Sequence, residues 1–198
     1  MYKKLSFILF LIVSGCCMQA QTATVAVQQF SKFSSIELFN VAKQKKTGIA
    51  QENKSLTLFV FLSPECPLCQ NYSKTLKELK AKFNRQVSFN GIIPGNAYTQ
   101  EEVLAFENKY NTGFRLFIDQ KKEFTSYLQA VATPQAILLD SKGNLIYTGA
   151  IDDWVQSLGK TKIKPSRNYL QDAIEQSLQS GEVKIRKTKA FGCKINDY

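Results

Sequence analysis

Histidine does not occur in this sequence. Its absence removes imidazole as a general base and as a metal or haem ligand, so much hydrolytic and zinc chemistry is excluded before any motif is read. There is no internal repeat and no low-complexity linker, which leaves no sign of a solenoid or a string of tethered domains. Cysteine is scarce and odd in number: five residues, Cys16, Cys17, Cys66, Cys69 and Cys193. An odd count makes a poor framework of structural staples.

What is present is ordinary for a folded protein. The 198 residues suit one domain with modest extensions, and 44% hydrophobic with 21% charged residues is a globular rather than a disordered composition. The net charge of +10 is weighted towards the late segments "KTKIK" and "KIRKTK". It reads as a solvated basic surface or as a contact for anionic lipid or acidic protein.

The N-terminus reads as an export signal. Lys3 and Lys4 precede the apolar run "LSFILFLIVSG", too short to span a bilayer comfortably and right for a signal-peptide core. "VSGC" resembles a lipobox, with Cys16 as the lipidated residue and residues 1–15 removed. Ordinary cleavage near Ala20 is the alternative, disfavoured by Met18 where a small residue is preferred. Residues 1–21 are thus assigned to the signal, 22–180 to a folded domain and 181–198 to a C-terminal extension. The expected location is the cell envelope, on the periplasmic side, anchored by lipid. Nucleic acid is not an expected partner there, and disulfides are permitted.

Residues 22–53 are ambiguous: "FSSIELFN" fits a strand by its Ile36/Leu38 alternation, or a helix capped by Ser34 with Glu37 three residues on. "KQKKTGIAQENKS" reads as polar and turn-like. From Leu56 the pattern sharpens. "LTLFVFL" is a continuous run of β-formers, as in a strand buried on both faces. It ends at Ser63-Pro64, and Pro67 suits the first turn of a helix. Cys69, Tyr72, Leu76, Leu79 and Phe83 then form one apolar stripe. "QVSFNGII" predicts a strand, "TQEEVLAFENKYN" a helix opened by a Thr99/Glu102 capping box, "FRLFID" a strand and "QKKEFTSYLQAV" a short helix. "ATPQAILLD" and "NLIYTGAID" form a hairpin around Ser141-Lys-Gly143. "SRNYLQDAIEQSLQSG" is a final helix between Ser166 and Gly181. The order βα-βα-βα-ββ-α predicts an α/β fold: a mostly parallel central sheet, mixed by the closing antiparallel hairpin, with helices on both faces.

"SPECPLC" places Cys66 at the join of the buried strand and the helix, where free backbone N–H groups and the macrodipole favour a thiolate. Cys69, one turn on, can reach Cys66. The pair reads as a redox couple: Cys66 attacks a disulfide, and Cys69 resolves the mixed disulfide. A zinc ribbon lacks its second pair. A structural disulfide closing so small a loop would constrain the unfolded chain little. A soft-metal site using Cys66 and Cys69, with or without Cys193, stays open, because copper(I) favours thiolates, and so does a non-catalytic interaction module. Thr133-Pro134 begins a strand; a cis peptide there would set the Thr133 backbone beside Cys66, where an extended substrate could pair with it.

These pieces, "LFVFLSPECPLCQNY", "VATPQAILLD" and "GNLIYTGAIDD", resemble the thioredoxin fold, specifically its redoxin/TlpA-like thiol–disulfide branch. The resemblance covers about residues 55–153. It implies a nucleophile Cys66, a resolving Cys69 and a cis Pro134, with Thr133, Pro67 and Leu68 meeting the substrate. It implies no cofactor beyond the Cys66–Cys69 disulfide. The implied partners are disulfide-containing exported proteins and a membrane thiol donor. Ser63 and Phe59 stand where peroxiredoxins carry threonine and proline, so peroxidase activity is the poorer expectation. Glu65, where thioredoxin has tryptophan, should oppose ionisation of Cys66 unless it faces solvent. Val60 stands where thioredoxin has a buried aspartate, which leaves deprotonation of Cys69 without an evident base. "TKAFGCKI" echoes redoxin proteins that end in a Gly-Cys segment; Cys193 reads as a partly buried spare thiol, a third redox thiol or a soft-metal ligand. Trp154 reads as a packing residue.

Overall fold

The structure, a computed structural model, describes residues 35–50, 52–157 and 159–195. The signal segment, Cys16, Cys17 and the Ser34 cap lie outside the described residues. In chain order the strands are β1 Leu38–Asn40, β2 Lys45–Thr47, β3 Leu56–Phe61, β4 Val87–Pro94, β5 Arg115–Asp119, β6 Ala132–Thr133, β7 Gln135–Asp140, β8 Leu145–Gly149, β9 Val155–Ser157, β10 Lys160–Thr161 and β11 Cys193–Lys194. The helices are α1 Pro67–Phe83, α2 Gln100–Tyr110, α3 Glu123–Tyr127 and α4 Tyr169–Gln179.

The central sheet has seven strands in the order β2-β1-β5-β4-β3-β7-β8. β3 is an inner strand beside the central β4, parallel to β4 and antiparallel to β7. All six residues of β3 are buried, which accounts for the unbroken apolar run. Alternate side chains part to opposite faces. Leu58, Val60 and Leu62 join a core with α1, α2 and α4, whereas Phe59 and Phe61 join a second core with Phe124 of α3. The crossovers β3-α1-β4 and β4-α2-β5 step in the same direction across the sheet, so α1 and α2 share a face. The Phe59 and Phe124 rings meet edge to face, 5.0 Å between centroids.

The sheet is less parallel than the strand–helix alternation predicts. Parallel pairing among its strands is confined to β3–β4 and β4–β5, and β1–β2, β1–β5, β3–β7 and β7–β8 are antiparallel. "FSSIELFN" resolves to the strand β1, and the segment read as turn-like supplies β2. β2 is an exposed edge strand carrying Lys45 and Lys46, so no apolar alternation marks it in the sequence. The Thr99/Glu102 capping box is present in both directions. Ser166 lies upstream of α4 and bonds Asp153 instead of capping the helix.

One polar contact is built into the α1 core. The Tyr72 hydroxyl donates to Asp152 Oδ1 at 2.6 Å, and the Trp154 amide donates to the same oxygen at 2.9 Å. The Trp154 ring stands edge-on to Tyr72, 5.5 Å away, which is the packing role its sequence context suggested. Burial raises the Asp152 pKa, and the Tyr72 hydrogen bond partly offsets it. A raised carboxyl costs the folded state as pH rises through its folded pKa, because the unfolded chain ionises more readily. Tyr72→Phe is therefore expected to lose about 1–3 kcal/mol in urea unfolding. The loss should be larger at pH 7 than at pH 4, since the lost donor serves the ionised form best.

The C-terminal segment returns across the sheet. Thr148 bonds the residues on either side of its bridge partner Lys187: its amide donates to Arg186 O at 3.0 Å, and its carbonyl accepts from Thr188 N at 3.0 Å. Beyond it, β11 pairs antiparallel with β6, Cys193 opposite Thr133 and Lys194 opposite Ala132. No helix among the described residues is long and apolar enough to cross a membrane.

Candidate active site

β3 ends inside the sheet, and the chain turns through Ser63-Pro64 into α1. Cys66 is the N-cap of this 17-residue helix, and Pro67 fills its first turn, where a missing N–H costs nothing. The first turn holds no acidic residue, so the positive end of the helix faces the sulfur uncancelled. Cys66 is 2% exposed and Cys69 is fully buried behind it.

The cis peptide Thr133-Pro134, between β6 and β7, faces the pair. As a thiol, Cys66 donates to the Thr133 carbonyl at 3.2 Å. As a thiolate it accepts instead. Its pKa is lowered to about 4, chiefly by the hydrogen bond from the Cys69 side chain, with further donation from the Cys193 thiol and from the Cys69 and Cys193 amides. Burial opposes this shift, and the Thr133 carbonyl favours the protonated form. Glu65 is exposed and accepts from the Tyr98 hydroxyl at 3.5 Å on the wall of the same cleft, so it meets the solvent-facing exception under which its charge need not oppose the sulfur. Burial and the neighbouring Cys66 charge push the Cys69 thiol well above the ordinary range.

Cys69 has donors that its sequence context did not reveal. The Ser63 amide donates to its sulfur at 3.4 Å, and the Thr133 hydroxyl, which donates to Cys193 O while Cys69 is a thiol, can turn its proton to the Cys69 thiolate. These donors cannot accept the Cys69 proton, as an aspartate at Val60 would; they stabilise the thiolate that its loss leaves. Thr133→Val removes one charge-assisted bond worth about 1.5 kcal/mol, so resolution of mixed disulfides should slow roughly tenfold. Stopped-flow release of a fluorescent peptide thiol would read that rate.

Beside Cys66 opens a cleft of about 320 Å³, bordered by Ser63, Tyr98, Thr133 and Cys193 among others. The Ser63 and Tyr98 hydroxyls are 2.9 Å apart on its wall. Among the predicted site residues, the structure gathers Cys66, Thr133 and Cys193 at the cleft, with Cys69 beneath. Pro67 is exposed and Leu68 half-buried, and neither lines the cleft. Cys193 is exposed rather than partly buried. Ser63, Tyr98 and Gly192 went unremarked as site residues; for Gly192 the Gly-Cys pairing in "TKAFGCKI" was the available signal.

A central mixed sheet that delivers a Cys-Pro-Leu-Cys pair to a helix N-terminus, opposite a cis X-Pro, defines a thioredoxin-like protein. A family model described as Redoxin matches residues 25–159, and the chain belongs to the Redoxin family. Solved structures agree on the fold. A hypothetical protein from Sinorhizobium meliloti is 22% identical, with TM-score 0.70 over 80% of this chain and 88% of that one. An uncharacterized conserved protein from Geobacillus kaustophilus is also 22% identical, with TM-score 0.71 over 82% of this chain and 88% of that one. A secreted Mycobacterium tuberculosis disulfide oxidoreductase, described as homologous to E. coli DsbE, is 16% identical, with TM-score 0.52 over 72% of this chain and 93% of that one. The curated proteins contain no match to the sequence.

Proposed function

We propose that this protein is an exported thiol–disulfide oxidoreductase acting on protein disulfides. Cys66 is the nucleophile and Cys69 the resolving thiol. The observation that carries the reading is the asymmetry of the pair: Cys66 is held low at a helix N-cap beside a cleft, whereas Cys69 is buried and held high. A nucleophile needs the first environment and a resolving thiol that must wait its turn needs the second. The cycle balances without a cofactor. The Cys66 thiolate attacks a substrate disulfide and displaces one substrate thiolate. Cys69 gives up its proton, attacks Cys66 Sγ and releases the second substrate thiolate, leaving the Cys66–Cys69 disulfide.

Partners on this reading are disulfide-containing exported proteins and a membrane thiol donor that regenerates the pair. Lipidation at Cys16 would hold the domain at the cell envelope, in keeping with the secreted oxidoreductase of similar fold. The sequence does not fix the direction of exchange; we take reduction as the working direction. The stabilised Cys66 thiolate favours the reduced enzyme and pulls the other way, towards oxidation of substrates. The reduction potential in a glutathione buffer separates them: about −270 mV supports a reductase, and about −120 mV an oxidase. Wild type that neither reduces insulin nor oxidises a reduced peptide, yet binds copper(I) with loss of free thiols, would overturn both. Among the described residues no group of three or more His, Cys, Asp or Glu side chains is gathered to hold a metal ion.

A further inference from the structure

The place opposite Thr133, where an extended substrate would pair, is occupied by the chain's own tail. β11 runs antiparallel to β6 with Cys193 opposite Thr133, and the Ile195 amide donates to Val131 O at 3.1 Å. The Thr133 hydroxyl donates to Cys193 O at 3.4 Å. The seat is shaped for this segment: a Cβ on Gly192 would overlap the Thr133 carbonyl and crowd Pro134 N, so only glycine lets the backbones approach this closely. A second anchor fixes the approach from upstream. Thr188 Oγ1 accepts the Ala150 amide at 2.9 Å and bonds the Tyr147 hydroxyl, and a Cβ on Gly149 would overlap Thr188. Thr133 O in turn is the atom that Cys66 Sγ contacts. The tail thus delivers a thiol and its own amide to the nucleophile.

We propose that this C-terminal strand is an internal substrate: seated on β6, it presents Cys193 to Cys66, and in the oxidised protein the Cys66–Cys69 disulfide exchanges with a Cys66–Cys193 disulfide that closes the cleft to other strands. The exchange is redox-neutral. The Cys193 thiolate attacks Cys66 Sγ; the Cys66–Cys193 bond forms and the Cys66–Cys69 bond breaks. Cys69 leaves as the thiolate and takes up the proton that Cys193 gave up. In the reduced protein Cys193 is held at about 12, by partial desolvation and by the neighbouring Cys66 charge. Once Cys66 is in a disulfide that charge is gone, so Cys193 is freer to ionise when its attack is called for. The product leaves Cys69 as a buried neutral thiol, the state its surroundings favour. A substrate or donor protein must then displace the tail before it can pair with Thr133, which makes the strand a gate on access as well as a redox partner.

This inference rests on Cys66 being the reactive thiol of the proposed function. The test oxidises the full chain with stoichiometric oxidised glutathione, quenches in acid and maps disulfides by proteolysis and mass spectrometry. Wild type should yield the Cys66–Cys69 link with Cys66–Cys193 as a second species. Cys69→Ser should yield Cys66–Cys193 in monomeric protein as the main product, with glutathione released. Adding Gly192→Ala to Cys69→Ser should cut that link at least tenfold and leave Cys66 glutathionylated. A Cys69→Ser protein that keeps glutathione on Cys66 beside a free Cys193 overturns the inference, as does a link that Gly192→Ala leaves untouched. If Cys69→Ser does not fold, absence of the Cys66–Cys193 species from wild type overturns it. A wild type that forms no Cys66–Cys69 link fails the enzyme reading instead, so the two failures are distinguishable.

Discussion

Cys66→Ser is expected to abolish disulfide exchange, lowering the rate of insulin reduction with a dithiol donor by at least about three orders of magnitude, to the uncatalysed background. The argument is chemical before it is structural. A serine hydroxyl in the same place does not ionise near neutral pH, and an oxygen–sulfur bond is not an exchange intermediate. Cys69 cannot take over: it is fully buried, and its thiol is held well above the ordinary range. Cys193 is exposed, but it lacks the helix N-terminus and the resolving partner one turn away. The fold should survive, since serine removes little volume and can keep the bond to Thr133 O. The variant's thermal unfolding midpoint should therefore lie within a few degrees of the reduced wild type near pH 4, where the Cys66 thiolate no longer adds stability. Activity persisting in Cys66→Ser at more than about a tenth of wild type would remove Cys66 as the nucleophile.

The second large effect concerns pH. Alkylation of Cys66 by iodoacetamide, followed by peptide mapping of the reduced protein, is expected to be nearly flat from pH 6 to 9. A thiol of ordinary pKa, about 8.5, would quicken by roughly 240-fold over the same range. Flatness, rather than speed, is the signature. Lowering a thiol's pKa raises the thiolate fraction and weakens its nucleophilicity at once, so the two effects partly cancel in the absolute rate. The largest cause of the shift is the hydrogen bond from Cys69, so Cys69→Ala should restore a rise with pH and move its midpoint up towards the ordinary thiol value. Stability follows with a definite sign. The folded pKa lies below the unfolded one, so Cys66 stabilises the reduced protein fully above the unfolded thiol pKa, and this contribution is lost as pH falls towards about 4. Urea midpoints of reduced wild type and Cys66→Ser should converge as pH is lowered. A Cys66 alkylation rate that rises with a midpoint near 8.5 in wild type would remove the asymmetry on which the proposed function stands.

The buried strand and the cysteine helix were legible because their signals are local. An apolar run of β-formers, a proline at the first turn and a stripe at steps of three and four all act within the segment they describe. The capping box at Thr99 is local in the same sense. Thr133-Pro134 stood out locally as an X-Pro at a strand start, but its place beside Cys66 drew its weight from the resemblance, since 67 residues separate Thr133 from Cys66 and no periodicity connects them. The strand β2 was missed because an edge strand needs no apolar side chain to be held; its partner β1 supplies the ladder. For Glu65 the sequence left two outcomes, opposing Cys66 or facing solvent; the structure exposes it and gives it the Tyr98 hydroxyl as a partner.

By itself the sequence determined the order of strands and helices from β3 to β8, the placing of Cys66 at a strand–helix join, the lack of any imidazole chemistry and the composition of a fold with a buried inner strand. These are consequences of periodicity, residue type and absence, which need no knowledge of what lies opposite. Only the tertiary structure decided the rest: which donors surround each sulfur, which way Glu65 faces, and that the tail lies on Ala132–Thr133 with Cys193 turned to Cys66. The reason is physical. A two-residue ladder between segments 60 residues apart in the chain is held by backbone hydrogen bonds that any sequence can make, and its register is set by a missing Cβ at Gly192 that has meaning only once the Thr133 carbonyl stands against it.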